Sequence, residues 1–574
     1  MSKKNLIGFI FILIFLLLII PVVLLSQTQT VGLFINDTAL TYKGYTLMAP
    51  KLYTATYLIN NEGRLIHKWS NSQYPPGQSV YLLPNGNLLR SCMIPGYINA
   101  GGGEGGRIEE YTWGDTLVWQ FEYATQNYQS HHDIRRLPNG NILLLAVEKK
   151  TLSQLSAAGF DPSKYQPEIS TRGYMLPDYV IEVQPAYPSG GNIVWEWHVW
   201  DHLVQDYDST KSNYGVVANH AELIDADGDG RQLPCFWNHM NSIAYNAKFD
   251  QIILSVRGNS EVWVIDHSTT TTQAAGHTGG RYGKGGDLLY RWGNPVCYKM
   301  GNASNQKLFE QHDAEWIDST YPGTGNITAF NNGVNRNYST IDEFTPPVDS
   351  LGFYFRAAGT AFGPASLAWT YSATPPASMY SWAISGAQRL PNGNTLICDG
   401  IHGNFLEVTY SKQLIWKYIN PVINTGPLYQ GDSIPQDPTH PGEYMNMVFR
   451  VQRYSPTYPG LVGRDLTPGN FIELYHSGIG GEFNNSPASY SLSQNYPNPF
   501  NPTTKIHYDI PKSSFVKLEV FDVLGREVET LVNEKKPSGS YQAIFNASHY
   551  PSGVYLYKLT ADGFINVKRM ILVK

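Results

Sequence analysis

Three histidines stand at comparable places along the chain. His132 lies in His131-His132-Asp133, five residues before Leu137, and His312 lies in Gln311-His312-Asp313-Ala314, five before Ile317. The same count back from Leu390 and Leu83 reaches Ser385 and Gln78. His239, one position out of step, opens His239-Met240-Asn241-Ser242-Ile243-Ala244-Tyr245. Read at period two, His239, Asn241, Ile243 and Tyr245 share one face of a strand, so polar side chains lead into an apolar stripe. One histidine in such a place caps a loop or fills a core. Three at equivalent strand ends point to a shared site. Neutral imidazole is a nucleophile and general base near neutral pH, and imidazolium stabilises oxyanions. Arg257 ends the next strand, and its planar fork suits a tetrahedral oxyanion such as sulfate or phosphate. A metal is the rival reading, since three histidines can hold zinc or copper. Against it, the histidines come from separate strands beside an arginine that repels cations, while Asp133 and Asp313 keep it open.

The elements that position these residues repeat. Leu83-Pro84-Asn85-Gly86-Asn87, Leu137-Pro138-Asn139-Gly140-Asn141 and Leu390-Pro391-Asn392-Gly393-Asn394 are hairpin signals, because Asn-Gly tolerates positive φ at both turn positions. Between them recur edge-type strands ending in an aromatic: Leu65 to Trp69, Leu117 to Phe121, Ile193 to Trp197, Leu288 to Trp292 and Leu414 to Tyr418. Repeated hairpins with an aromatic signature predict an all-β fold, a six-bladed β-propeller with inner strands near residues 79, 132, 239, 312, 387 and 448. Segments 151–178, 204–236 and 319–380 read as insertions that decorate one face and build a mouth over the central channel.

The 574 residues carry 53 glycines, 36 prolines and 39 tyrosines, a composition of turns and aromatic strands. A net charge of −6 with no basic face argues against nucleic acid. Residues 1–26 read as a cleaved signal peptide: Lys3 and Lys4, an apolar run from Leu6 to Leu25, then Ser26. An uncleaved anchor is the alternative, since the run approaches spanning length. Of the four cysteines, Cys92 and Cys398 end apolar strands as buried thiols, and Cys235 and Cys297, in loops, are the better candidates for a disulfide. Asp225-Ala226-Asp227-Gly228-Asp229-Gly230 resembles a calcium loop, but Phe236 occupies the twelfth position where a glutamate belongs. A structural Ca²⁺ site and a solvated acidic turn are both open there. The propeller is expected over 27–480, a linker over 481–490, and closely spaced short strands over 491–574 as a small Ig-like β-sandwich.

Taken together, His131-His132-Asp133, His239-x-Asn241-Ser242-Ile243, Ser255-x-Arg257-x-x-Ser260-Glu261-Val262-Trp263, Gly285 to Pro295 and Gln311-His312-Asp313-Ala314 resemble the bacterial arylsulfotransferase family over roughly residues 40–475. The resemblance implies a sulfotransferase that moves a sulfuryl group from an aryl sulfate donor to a phenolic acceptor, with no nucleotide sulfate and no cofactor. It implies His312 as a nucleophile that becomes sulfated. His239, His132 and Arg257 would stabilise the sulfuryl oxygens or assist the leaving phenolate, and Asn241 would orient His239 or bind an oxygen. Asn495 to Pro502, Val520 to Val528 and Gly553 to Tyr557 resemble the type A sorting domain of the type IX secretion system, which implies export to the cell surface or medium and a partnership with that machinery. A propeller that only binds a protein or glycan, and an arylsulfatase-like hydrolase, are the other functional readings; fold alone does not separate them.

Overall fold

The structure is a computed structural model that describes residues 29–94, 97–98, 103–438, 440–475, 490–492, 494–495 and 498–574. The segment read as a signal peptide and most of the expected linker lie outside these residues. Among the described residues no helix is long and apolar enough to cross a membrane. The chain divides into two compact units, Thr28–His476 and Ser477–Lys574 with the N-terminal segment.

The larger unit is a β-propeller of antiparallel sheets that follow one another in sequence. Each runs from an inner strand outward: Pro76–Leu82 to Leu117–Glu122, Tyr128–Arg136 to Gly191–His198, Met240–Asn246 to Tyr290–Trp292, His312–Trp316 to Trp369–Tyr371, and Gly386–Arg389 to Leu414–Ile419. The remaining sheet, Tyr45–Met48 to Leu65–Trp69, receives its inner strand Gln452–Tyr454 from the far end of the chain, and Gly32–Asn36 completes the outer edge of the sheet that ends at Ile419. The two ends of the larger unit thus interlock the ring. The Pro-Asn-Gly turns join inner strands to second strands, and the aromatic-ended strands are outer strands.

The aromatic signature has a structural purpose. Each outer strand carries a tryptophan whose indole N–H donates to a backbone carbonyl of the next sheet: Trp69 to Thr112, Trp119 to Gly190, Trp197 to Gly286, Trp292 to Pro364, Trp369 to Tyr410 and Trp416 to Asn61, all at 2.7–3.0 Å. A large ring buried between sheets needs a partner for its one donor, and the neighbouring carbonyl supplies it.

Two expectations are corrected. Residues 319–380 are not one insertion: Ile327–Asn331, Thr340–Phe344 and Trp369–Tyr371 within them are strands of the His312 sheet. Their polar, Gly- and Pro-rich connections hide the period-two pattern. Cys235 and Cys297 are not paired; all four cysteines are buried free thiols. Cys297 Sγ instead donates to the Asn259 carbonyl at 3.3 Å. Segments 151–178 and 204–236 do lie between strands and carry short helices, Leu152–Ala157 and Pro167–Arg172 in the first.

The smaller unit packs two antiparallel sheets around one core that includes Ile506, Val516, Leu518, Phe545, Tyr557 and Met570.

Candidate functional site

Register, not sequence count, sets which side chains share a level. Asp133 Oδ2 accepts from the Ile243 amide at 3.0 Å, Ser242 Oγ from the Ala314 amide at 3.0 Å, and Asp313 Oδ2 from the Ala387 amide at 2.9 Å. These three bonds stitch successive inner strands at one height. They place Asn241, not His239, level with His132 and His312. His239 stands two residues earlier. Each of the three strands bulges near this level: the pairing slips between Met240 and Ser242, between His312 and Glu315, and between Leu144 and Leu145 opposite the 132–133 segment. His132 (φ 46°), His239 (φ 49°) and Asp313 (φ 57°) occupy the left-handed region there. A bulge re-aims side chains out of the pleat, here toward the channel.

His132 and His239 lie 5.1 Å apart, ring centre to ring centre. His239 stacks on Phe236 at 4.2 Å, while Phe449 faces both His132 (6.0 Å) and His312 (6.4 Å). His132 and His312 are 2 % and 1 % exposed. Above them is a cavity of about 500 Å³ lined by His239, Arg257, Glu310, Phe236 and Trp237, together with Gln166, Glu168 and Arg172 and the 228–235 segment. The two insertions therefore wall this mouth. His132 and His312 do not line the cavity.

A hydrogen bond fixes the tautomer of His312. Asn332 Nδ2 donates to the Ser381 and Ile384 carbonyls at 2.7 and 3.0 Å, so its Oδ1 must face His312 Nδ1, 2.8 Å away. Nδ1 then carries the proton, and the electron pair sits on Nε2. Asp178 Oδ1 lies 2.9 Å from His131 Nε2, and His131 Nδ1 lies 2.8 Å from His132 Nδ1. His131 thus stands behind His132, which is the member that meets His239.

Burial holds the three ring histidines neutral. The pKa of His312 is pushed down to about 3, mainly by burial and then by the Arg257 guanidinium. His132 and His239 also lie well below the ordinary value, again chiefly through burial, with His239 acting on His132 and Arg257 on His239. In the unfolded chain these groups return to about 6.5, so below that pH the unfolded state binds more protons than the folded one. Stability contributed by these sites is therefore complete above about 6.5 and is lost progressively as pH falls toward 3. Urea midpoints should drop from pH 7.5 to 5, and drop less in His132→Gln. Equal slopes in the two proteins would contradict a neutral His132.

Arg257 begins a helical turn docked on the His239 segment. Its amide donates to the His239 carbonyl at 3.2 Å, and the Gly258 amide donates to the Asn238 carbonyl at 2.7 Å. A side chain at 258 would meet the Trp237 carbonyl at 2.2 Å, so only glycine allows this approach. The guanidinium Nη2 pairs with Glu310, two residues before His312.

Asn241 does not orient His239. Its Nδ2 donates to the Gln311 carbonyl at 2.8 Å, which anchors the strand carrying His312, and its buried Oδ1 has no hydrogen-bond partner. Asp133 and Asp313 do not form a metal site with the histidines. Both grip Arg450, Asp133 at 2.8 Å, and Asp133 also accepts from the Tyr81 hydroxyl at 2.7 Å. In the 225–230 turn Asp227 caps the Asp161 amide, Asp229 pairs with Arg231 at 2.7 Å, and Asp225 lies 3.8 Å from Lys299. Sequence reasoning missed Asn332, Glu310, Asp178 and Arg450. Asn332 follows a buried strand and Glu310 precedes His312, but nothing local marks either side chain as turned toward the channel.

The family described as Arylsulfotransferase (ASST) matches residues 57–425, and the Secretion system C-terminal sorting domain matches residues 494–574. No curated protein matches the chain. Among solved structures, a protein of unknown function from Bacteroides caccae is 10 % identical with a TM-score of 0.37, covering 72 % of this chain and 98 % of its own. A streptogramin B lyase is 9 % identical with a TM-score of 0.33, covering 70 % of this chain and 86 % of its own. The sorting domain marks the protein for type IX secretion to the cell surface or extracellular space, and the match over the propeller means that the chain belongs to the arylsulfotransferase family.

Proposed function

We propose that this exported protein transfers a sulfuryl group from an aryl sulfate ester to a phenol through a sulfohistidine at His312. The observation that carries the reading is a buried, neutral imidazole whose Nδ1 proton is held by Asn332, leaving the Nε2 electron pair free in the field of the Arg257 guanidinium. Nε2 attacks sulfur, the sulfur–oxygen bond to the aryl group breaks, and the donor leaves as phenolate. The acceptor phenol then loses its proton, attacks the same sulfur, and breaks the nitrogen–sulfur bond, which restores the neutral imidazole. One proton passes in net from acceptor phenol to donor phenolate, and His239 and His132 are the bases nearest that path.

Arg257 is the fixed positive charge. It spends Nη2 on Glu310, and its other nitrogens are suited to hold sulfuryl oxygens at the mouth. Phe236 and Phe449 flank the imidazoles and suit aryl groups on either side of the transferred sulfur.

The test is release of a chromogenic phenol from an aryl sulfate, with and without a phenolic acceptor, followed by mass analysis of the peptide bearing His312. Acceptor-dependent release with a sulfuryl mass on that peptide is expected. Equal release without acceptor would point to hydrolysis, and no release from any aryl sulfate would point to a binding propeller.

A further inference from the structure

A second cluster of histidines lies on the outer side of the propeller, away from the channel. His202 Nδ1 is 2.9 Å, and His277 Nδ1 2.8 Å, from the same oxygen, Asp287 Oδ1. We propose that His202, His277 and Asp287 bind one divalent transition-metal ion, zinc(II) by ligand type.

His202 is fully buried, stacked on Trp197 at 5.6 Å, and its Nε2 lies 2.8 Å from the Ala274 carbonyl. A carbonyl only accepts, so Nε2 carries hydrogen. The electron pair of the neutral ring is then on Nδ1 and points at a carboxylate oxygen. That arrangement needs a cation between the two atoms, either a proton, which makes the ring an imidazolium paired with the carboxylate, or a metal ion, and the second imidazole aimed at the same oxygen favours the metal. An imidazole whose second nitrogen donates to a backbone carbonyl is the usual arrangement of a metal-bound histidine. His277 aims its own Nδ1 at the same point from the surface.

The backbone is shaped to hold this point. The Gly286 amide donates to the Gly276 carbonyl at 2.9 Å, which closes the loop between His277 and Asp287. A side chain at 286 would meet the Ala274 carbonyl at 2.0 Å and His202 Nε2 at 2.6 Å. Two imidazoles and one carboxylate, with water completing the shell, suit zinc in tetrahedral coordination. Ligand atoms around such an ion stand about 3.4 Å apart, so binding opens both the His202–Asp287 and the His277–Asp287 separations by about half an ångström. His202 follows the outer strand of the His132 sheet, while His277 and Asp287 lie in the connection between Glu261–Asp266 and Tyr290–Trp292 of the His239 sheet. The ion would staple two neighbouring sheets that carry the channel histidines.

The chelator-treated full chain, titrated with zinc chloride in a calorimeter at pH 7.5, should bind one equivalent through this site and gain several degrees in Tm. His277→Ala, a surface change that spares the fold, and Asp287→Asn should each weaken that binding at least tenfold and abolish the Tm gain. His440→Ala serves as the control, because Asp437, His440 and Glu443 form the other metal-compatible group among the described residues; it should keep the equivalent. Zinc absorption spectra of the loaded chain should show two imidazole ligands. A chain that takes up no zinc, or one whose binding is unchanged in His277→Ala and Asp287→Asn, would overturn the assignment.

Discussion

His312→Ala should lower turnover of an aryl sulfate by about 10⁴-fold or more, because removing a covalent nucleophile eliminates the route and not merely one stabilising contact. No sulfuryl mass should be recovered on the corresponding peptide. Asn332→Leu supplies the matching intermediate case. The imidazole survives, but the group that fixes its Nδ1 proton is gone, so both tautomers and other ring orientations become accessible. A loss of about 10²-fold in kcat, with KM little changed, is the scale expected for misplacing a reacting atom. His312→Ala retaining near-normal turnover would place the chemistry on another histidine, and His132 would be the first to examine.

The acid limb of the pH profile carries independent information. With a pKa near 3, His312 stays neutral far below the pH at which an ordinary histidine protonates. A loss of activity centred near 6.5 in the first half-reaction would not come from His312 in the unliganded protein.

How much of this was legible in the sequence differs from residue to residue. The hairpin at Pro138-Asn139-Gly140 and the aromatic ends at Trp119 or Trp416 are local signals, because turn chemistry and period-two burial act within a few residues. They gave the propeller and the channel end of each inner strand. The site needed more. Counting from turns made His132 and His312 equivalent, and the inter-strand bonds of Asp133 and Asp313 agree with that count. The same count misjudged His239, because only the bonds between neighbouring strands show that Asn241 stands level with His132 and His312. Asn332 and Asp178 reach His312 and His131 from distant parts of the chain. Nothing in a local window reports such pairings. The disulfide expectation failed for a related reason: loop placement of Cys235 and Cys297 says nothing of where their side chains point.

The largest effect on stability is expected at Arg450, which no motif singled out. It bridges Asp133 and Asp313, is almost wholly buried, and lies over the Tyr81 and Phe449 rings at 5.6 and 5.5 Å. Both carboxylates also accept backbone amides of the next inner strand. One cation thus neutralises two buried anions that stitch the centre of the ring. Burying these ions is costly in itself, so the cluster as a whole need not add to stability. Removing only the cation is another matter, since it strands two buried carboxylates. Arg450→Met should therefore cost about 3–5 kcal/mol, read as a lower urea midpoint at unchanged slope. Adding Asp313→Asn to Arg450→Met should recover part of that loss, because the amide still accepts from Ala387 without a charge. The recovery separates stranded charge from lost packing. A double variant no more stable than Arg450→Met would show that the arginine matters for the volume it fills and its ring contacts, and that the carboxylates it links are held ionised by other means.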